Sequence, residues 1–107
     1  GQIDLEHISD SDQQTILSAA ASMIRNTVAE NDAASAIGQL GELAQATVDG
    51  VFITVKRGDS LRGCCGCHGK PVRLGGAMAD AATRTARDPR LPPVSPSELP
   101  FLNLSVS

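Results

Sequence analysis

The residues most able to do chemistry form one short cluster of three cysteines and a histidine, Cys64, Cys65, Cys67 and His68. Disulfide frameworks in small secreted domains spread their cysteines along the chain to join distant loops. Cysteines this close together cannot do so. The cluster therefore predicts free thiols in a reducing, cytoplasmic environment, and it leaves four interpretations open: haem attachment, metal binding, thiol chemistry and simple packing.

The first two interpretations use Cys64, Cys67 and His68, which match the C-x-x-C-H pattern of c-type haem attachment. A haem needs an apolar pocket, yet the chain contains only two aromatic residues. The same three side chains would supply three zinc ligands, but a structural zinc site needs four, and the other histidine, His7, lies in a distant polar segment. We keep the three as weak metal candidates and predict no cofactor.

The third interpretation is thiol chemistry at Cys64, since Arg62 lies two positions before it. Nearby positive charge increases the thiolate fraction of a cysteine. Alternate residues of a strand share a face, so Arg62 and Cys64 would be neighbours. That arrangement suits a nucleophilic thiol beside an arginine that holds an anion. Only Asp88 and Glu98 are candidates to orient a base.

The fourth interpretation is packing, because cysteine is among the most buried residue types. Strand alternation puts Cys65 and Cys67 on the face opposite Cys64, where they would pack in the core. Cys64 is then the cysteine available for function.

Charge is distributed unevenly along the chain. Residues 1–50 contain one basic and eight acidic side chains, whereas residues 51–107 contain eight basic and four acidic ones. Either the two halves complement each other or the second half has an anion-binding face. The basic residues around the cysteines are Lys56, Arg57, Arg62, Lys70 and Arg73. They would hold a small anionic ligand or simply protect a sheet edge.

Some partner classes are disfavoured by composition. The net charge of −3 disfavours duplex nucleic acid, and the scarcity of aromatic rings disfavours single strands. No apolar run reaches the roughly 20 residues that a membrane span requires, so we predict no membrane association. The hydrophobic fraction of 41 % favours a folded domain over a disordered tail.

Apolar periodicity predicts the elements that must position the cluster. Helical spacing predicts helices over residues 12–30 and 74–87, the first opened by a Ser11-x-x-Gln14 capping box. For residues 31–49 the sequence pattern predicts a short helix or a structured loop. Alternation and turn residues predict a hairpin with strands at 51–57 and 61–67, a connection at 69–73, a capped turn at 95–99 and a strand at 102–107.

The length of 107 residues allows one domain. Gly1-Gln2 is not a natural start, and the chain stops inside a predicted strand. We therefore expect residues 1–107 to be the N-terminal part of a longer domain or of a fusion protein.

Several blocks together resemble the AMMECR-type domain, a family named for a human chromosomal region linked to Alport syndrome and elliptocytosis. The resemblance covers residues 50–107. Its blocks are Gly50-Val51-Phe52-Ile53-Thr54-Val55-Lys56, Leu61-Arg62-Gly63-Cys64-x-Gly66, Ala81-Ala82, Asp88-Pro89-Arg90-Leu91-Pro92-Pro93-Val94, Glu98-Leu99 and Ser105-Val106-Ser107. Cys65, Cys67-His68 and Leu91 depart from the family pattern, and the departure at Cys67-His68 creates the C-x-x-C-H match.

The resemblance implies an α/β (α+β) fold, with an antiparallel sheet built around a hairpin and flanked by helices. It implies a site at the L-R-G-C-x-G stretch, with Cys64 and Arg62 as catalytic candidates and Gly63 and Gly66 as binding candidates. Arg90 and Lys56 complete the predicted binding set, since Arg90 can reach back toward the hairpin. No reaction is attached to the family. The resemblance leaves open an enzyme, an accessory to one, or a non-catalytic module that binds a Memo-like or radical S-adenosylmethionine protein.

Overall fold

The computed structural model describes the whole chain, Gly1–Ser107. Two α-helices and three strands alternate with two 3₁₀ segments. In chain order they are α1 (Asp10–Val28), a first 3₁₀ segment (Ala33–Gln45), β1 (Thr47–Arg57), β2 (Ser60–Arg73), α2 (Leu74–Ala86), a second 3₁₀ segment (Pro96–Phe101) and β3 (Leu102–Val106). The strands form one antiparallel sheet in the order β2-β1-β3. This confirms the predicted fold class.

The sheet has a covered and an uncovered face. Val51, Ile53 and Val55 point from β1 into the core, which they share with buried residues of α1 and α2. The alternate residues Phe52 and Thr54 lie half-buried on the uncovered face. No helix of residues 1–107 packs on this second face.

The first helix was predicted almost in full, but its N-cap was not. α1 begins at Asp10, and the capping side chain is Ser9, whose Oγ accepts a hydrogen bond from the Asp12 amide at 3.1 Å. The predicted cap at Ser11 is therefore wrong. Two possible caps two residues apart give the same downstream apolar pattern, so periodicity alone cannot choose between them.

Residues 31–49 contain the first 3₁₀ segment, which consists of two short pieces joined at Gly41. Gly41 has φ 58°, a left-handed conformation that glycine adopts without steric cost. The segment packs closely on α2, since a Cβ at Gly75 would lie 2.8 Å from Ile37 and 3.1 Å from Ala44. The region predicted as a short helix or a structured loop thus contains two short 3₁₀ pieces that pack against α2.

The second strand is longer than predicted. Residues 69–73 were expected to be a connection, but β2 continues to Arg73, and Val72 pairs with Val48. The expectation was wrong because it relied on the general rule that glycines weaken a strand. Here they accommodate an irregular register, with Gly50 at φ 151° and Gly69 at φ 97°. α2 therefore follows β2 with no loop between them.

The C-terminal segment agrees with the sequence-based expectation. Ser95 and Glu98 form a capping box at the second 3₁₀ segment, and β3 pairs with β1. Leu102, Leu104 and Val106 face the core. Neither α-helix has the length and apolar character that crossing a membrane would require.

Candidate functional site

Cys64 lies on the uncovered face of β2, opposite Thr54 of β1. Its Sγ is 3.2 Å from the Thr54 hydroxyl oxygen. Its main chain faces away from β1, and side chains complete its hydrogen bonds. The Cys64 amide donates to Asp88 Oδ2 at 3.3 Å, and the Cys64 carbonyl accepts from Arg90 Nη2 at 3.0 Å. Both the amide and the carbonyl of Cys64 are thus hydrogen-bonded to side chains, while the residue stays half-exposed.

The segment after α2 supplies this support. The Asp88 carboxylate is buried and accepts hydrogen bonds from the Arg90 amide, Nε and Nη2 at 3.1, 2.9 and 2.6 Å. These bonds hold the pKa of Asp88 well below its usual range, and the pair raises the pKa of Arg90. Arg90 does reach back to the hairpin, as the sequence predicts. Because both carboxylate oxygens of Asp88 already accept hydrogen bonds, Asp88 is poorly suited to take a proton from a ligand.

Arg62 is occupied by an internal partner. Its Nε and Nη2 bind the two carboxylate oxygens of Glu98 at 2.7 and 3.0 Å, and Nη2 also donates to the carbonyls of Pro92 and Pro93. The bonds from Arg62, with one from the Ser95 amide, lower the pKa of Glu98 to about 2. Arg62 therefore fastens the segment before β3 to the hairpin.

The strand register explains why the Arg62 guanidinium does not contact the Cys64 thiol. Leu61 pairs with Lys56 and Gly63 with Val55, so Arg62 lies at a bulge with no residue opposite it. Its guanidinium reaches Glu98, and no hydrogen bond joins it to Cys64.

The two glycines of the motif allow close approaches of other groups. A Cβ on Gly63 would lie 2.2 Å from the carbonyl oxygen of Thr85 in α2. A Cβ on Gly66 would lie 2.0 Å from the carbonyl oxygen of Val51 and 2.8 Å from Cδ1 of Phe52. The buried Thr85 hydroxyl also joins the two strands, since it accepts from the Cys65 amide and donates to the Ile53 carbonyl, each at 3.0 Å. Gly63 thus brings the end of α2 against the strand that contains Cys64.

The C-x-x-C-H residues do not fit a haem or a zinc ion. Cys64 lies opposite Thr54, whereas Cys67 lies opposite Val51 on the core face, so their sulfurs leave the strand in opposite directions. No group of three or more His, Cys, Asp and Glu side chains is placed to hold a metal ion. Cys65 and Cys67 face the core as expected, but they are only half-buried because β2 is an outer strand. Burial and the nearby Asp88 raise the pKa of Cys65.

An open cleft of about 590 Å³ lies beside Cys64, between β2, the end of α2 and the segment that follows. Its lining residues are Phe52, Cys64, Cys65, Gly66, Thr83, Arg84, Arg87, Asp88, Pro89 and Arg90. Three of these lining residues, Phe52, Arg84 and Arg87, were not predicted from the sequence. The spacing of Arg84 and Arg87 on one predicted helix, just before Asp88-Pro89-Arg90, was the available signal. Lys56, a predicted binding residue, does not line this cleft.

The ion pairs show how the charged halves are related. All five join residues within one half: His7–Asp4, Arg57–Glu98, Arg62–Glu98, Arg84–Asp80 and Arg90–Asp88. None links the acidic half to the basic half. The arginines of the cleft are thus not neutralised by the N-terminal half.

Comparison with known proteins agrees with this architecture. The AMMECR1 family model matches residues 17–107. The chain belongs to the AMMECR1 family. A Methanothermobacter thermautotrophicus protein is 45 % identical over 60 residues, which span 54 % of this chain and 31 % of the relative. The protein Mbar_A1807 of Methanosarcina barkeri is 47 % identical over 51 residues, which span 47 % of this chain and 25 % of the relative.

A solved structure resembles this AMMECR1-family chain over nearly its whole length. The crystal structure of PH0010 from Pyrococcus horikoshii, described as an uncharacterized protein, superposes with a TM-score of 0.71 at 28 % identity. The match covers 94 % of this chain and 52 % of PH0010. The matched residues therefore span about half the length of that protein and less than a third of each of the two curated relatives.

Proposed function

We propose that the domain binds a small anionic molecule in the cleft beside Cys64 and acts on it as a thiol-dependent enzyme or enzyme accessory. One observation carries the proposal: a half-exposed thiol and three arginines, Arg84, Arg87 and Arg90, line the same open cleft. Among the charged lining residues, Asp88 alone is acidic, and Arg90 already neutralises it.

The arginines retain hydrogen-bonding capacity for a ligand. Arg84 binds Asp80 and the Gly66 carbonyl through Nε and Nη2, Arg90 binds Asp88 and the Cys64 carbonyl through the same two atoms, and Arg87 Nη2 donates to Thr27. The Nη1 group of each guanidinium has no partner within the chain. Arginine forks bind carboxylates and phosphates well. In this proposal they hold the anion, and Arg62 positions the neighbouring segment.

The role of Cys64 in the proposal is that of a nucleophile. Its thiol gives its proton to solvent, and the sulfur forms a bond to an electrophilic carbon of the ligand. The leaving group of that carbon departs with the electron pair of the broken bond. Thr54 is placed to hydrogen-bond with the sulfur before the reaction.

Alkylation with an anionic and a neutral reagent tests this proposal. In a variant with Cys65→Ala and Cys67→Ala, iodoacetate and iodoacetamide each form a thioether at Cys64 and release iodide. We expect the iodoacetate-to-iodoacetamide rate ratio to exceed that of free cysteine by about tenfold, because the arginines attract the anionic reagent. Mass spectrometry of the intact chain over time gives both rates.

Arg87→Gln should lower this ratio, and added salt should do the same. Lys70→Gln is the matched control, since it removes the same charge from an exposed residue outside the cleft. A ratio equal to that of free cysteine would contradict the proposal. Equal effects of the two substitutions would show that only overall charge matters.

A second candidate is the non-catalytic module that binds a Memo-like or radical S-adenosylmethionine protein. The observation that favours it is an apolar patch at the hairpin turn, formed by Leu61, which is 42 % exposed, and Phe101, which is 59 % exposed. The Arg57 guanidinium lies 5.1 Å from the Phe101 ring centre. Exposed aromatic and arginine side chains are typical centres of protein interfaces.

This candidate is tested by calorimetric titration of the chain with a purified Memo-like protein. Phe101→Ser should weaken binding by about tenfold or more, as loss of a central interface residue does. The same substitution should leave the alkylation ratio at Cys64 unchanged. Unaltered affinity of the Phe101→Ser variant would exclude the patch as the interface.

A further inference from the structure

The aromatic side chain of the cleft adds information about the ligand. Phe52 lies on the uncovered face of the sheet, directly opposite Gly66 of β2. Its ring lies over that glycine, since a Cβ there would be 2.8 Å from Cδ1. The Gly66 carbonyl also accepts a hydrogen bond from Arg84 Nη2 at 3.1 Å. The Phe52 ring and the Arg84 guanidinium therefore both lie against Gly66, close enough together for one small ligand to contact both.

Phe52 borders two clefts of different charge. One is the arginine-lined cleft beside Cys64. The lining of the other includes three carboxylates, those of Asp4, Glu6 and Asp49, and His68 of β2, whose ring centroid lies 5.9 Å from that of Phe52. An anionic group on a ring that contacts Phe52 would be attracted by the arginines of the first cleft and repelled by the carboxylates of the second. The charge distribution thus favours one orientation for a ligand with both a ring and an anionic group.

From this arrangement we infer that the ligand of the proposed site is a planar, unsaturated ring bearing a phosphate or carboxylate group. The ring packs against Phe52, and the anionic group binds the free Nη1 donors of Arg84 and Arg87. The inference rests on the proposed function, because it describes the ligand of the same cleft. It adds a requirement for the ring, which anion binding alone does not need.

Chemical-shift titration of the ¹⁵N-labelled chain with four probes tests the inference. The probes are phenyl phosphate, benzoate, inorganic phosphate and benzyl alcohol, so that ring and charge are present together or separately. We expect at least one of the two aromatic anions to bind about tenfold more tightly than inorganic phosphate and benzyl alcohol, with shifts at the Cys64 and Gly66 amides. Which of the two binds more tightly identifies the anionic group.

Two variants separate the ring from the charge. Phe52→Leu keeps an apolar side chain but removes the ring, and it should reduce the affinity for the aromatic anion to that for inorganic phosphate. Arg87→Gln should weaken inorganic phosphate and the aromatic anion equally.

Equal binding of inorganic phosphate and both aromatic anions would overturn the inference while the anion site remains. Benzyl alcohol binding as tightly as phenyl phosphate would also overturn it. The absence of shifts in the cleft amides with any anion would contradict the proposed function itself.

Discussion

Gly63→Ala is expected to destabilise the domain by about 3 kcal/mol or more, because the added methyl group has no space. Its Cβ would lie 2.2 Å from the Thr85 carbonyl oxygen and 3.1 Å from the Thr85 Cγ2. The first of these atoms belongs to the backbone of α2, so relief requires movement of the helix or the strand. Either movement would break the bridge from the Thr85 hydroxyl to Cys65 and Ile53.

Urea unfolding followed by circular dichroism measures this effect. Gly76→Ala is the matched control, since Gly76 lies in α2 and a Cβ there would meet no atom within 4 Å. Alanine is the better helix former, so this variant should be more stable by about 0.5–1 kcal/mol. A Gly63→Ala variant within about 0.5 kcal/mol of the wild type would show that α2 does not press on β2 as described.

The second large effect is expected for Glu98→Gln, which removes the charge that faces Arg62. The side chains of Glu98 and Arg62 are 12 % and 14 % exposed, so water compensates the remaining cation poorly. Loss of one partner from a buried pair costs about 3–5 kcal/mol. Because this pair retains some contact with water, we expect about 2–3 kcal/mol at pH 7.

The same carboxylate predicts a pH dependence of stability. The pKa of Glu98 falls from 4.5 to about 2 on folding. Since the folded-state pKa is lower, the stabilisation is complete above pH 4.5 and is lost as the pH falls toward 2. A shift of this size corresponds to about 3 kcal/mol at most.

Urea unfolding at pH 7 and pH 3 measures this contribution. The difference between the two pH values should be smaller in Glu98→Gln than in the wild type, whereas the exposed control Glu42→Gln should keep the full difference. Identical pH dependence in Glu98→Gln and the wild type would contradict the assignment. Asp88 also titrates in acid, and the comparison between variants removes its contribution.

The sequence predicted the elements better than it predicted the site. Residues 51–57 alternate because one face of the sheet is covered, and that pattern is visible without a structure. Gly69 concealed the length of β2, since a glycine weakens a strand in general but here accommodates an irregular register. Local patterns carry no information about such long-range contacts.

The candidate site, too, could be predicted only in part from the sequence. Cys64 and Arg90 were predicted and do lie together in the structure. The partner of Arg62 was not predicted, because a bulge of one residue directs its side chain to Glu98. Arg84 and Arg87 were not predicted as site residues. Their presence in the cleft depends on how closely α2 approaches β2, which the contact between Gly63 and Thr85 permits.

The two guanidinium contacts with β2 also bear on how copies of this chain behave at high concentration. An outer strand can add a strand from another molecule through its unpaired amides and carbonyls, which is a common start of aggregation. At Cys64 and Gly66 those groups already bind Asp88, Arg90 and Arg84. Intermolecular strand addition along β2 must first displace these side chains, so Arg84 and Arg90 also oppose self-association of the domain through this strand.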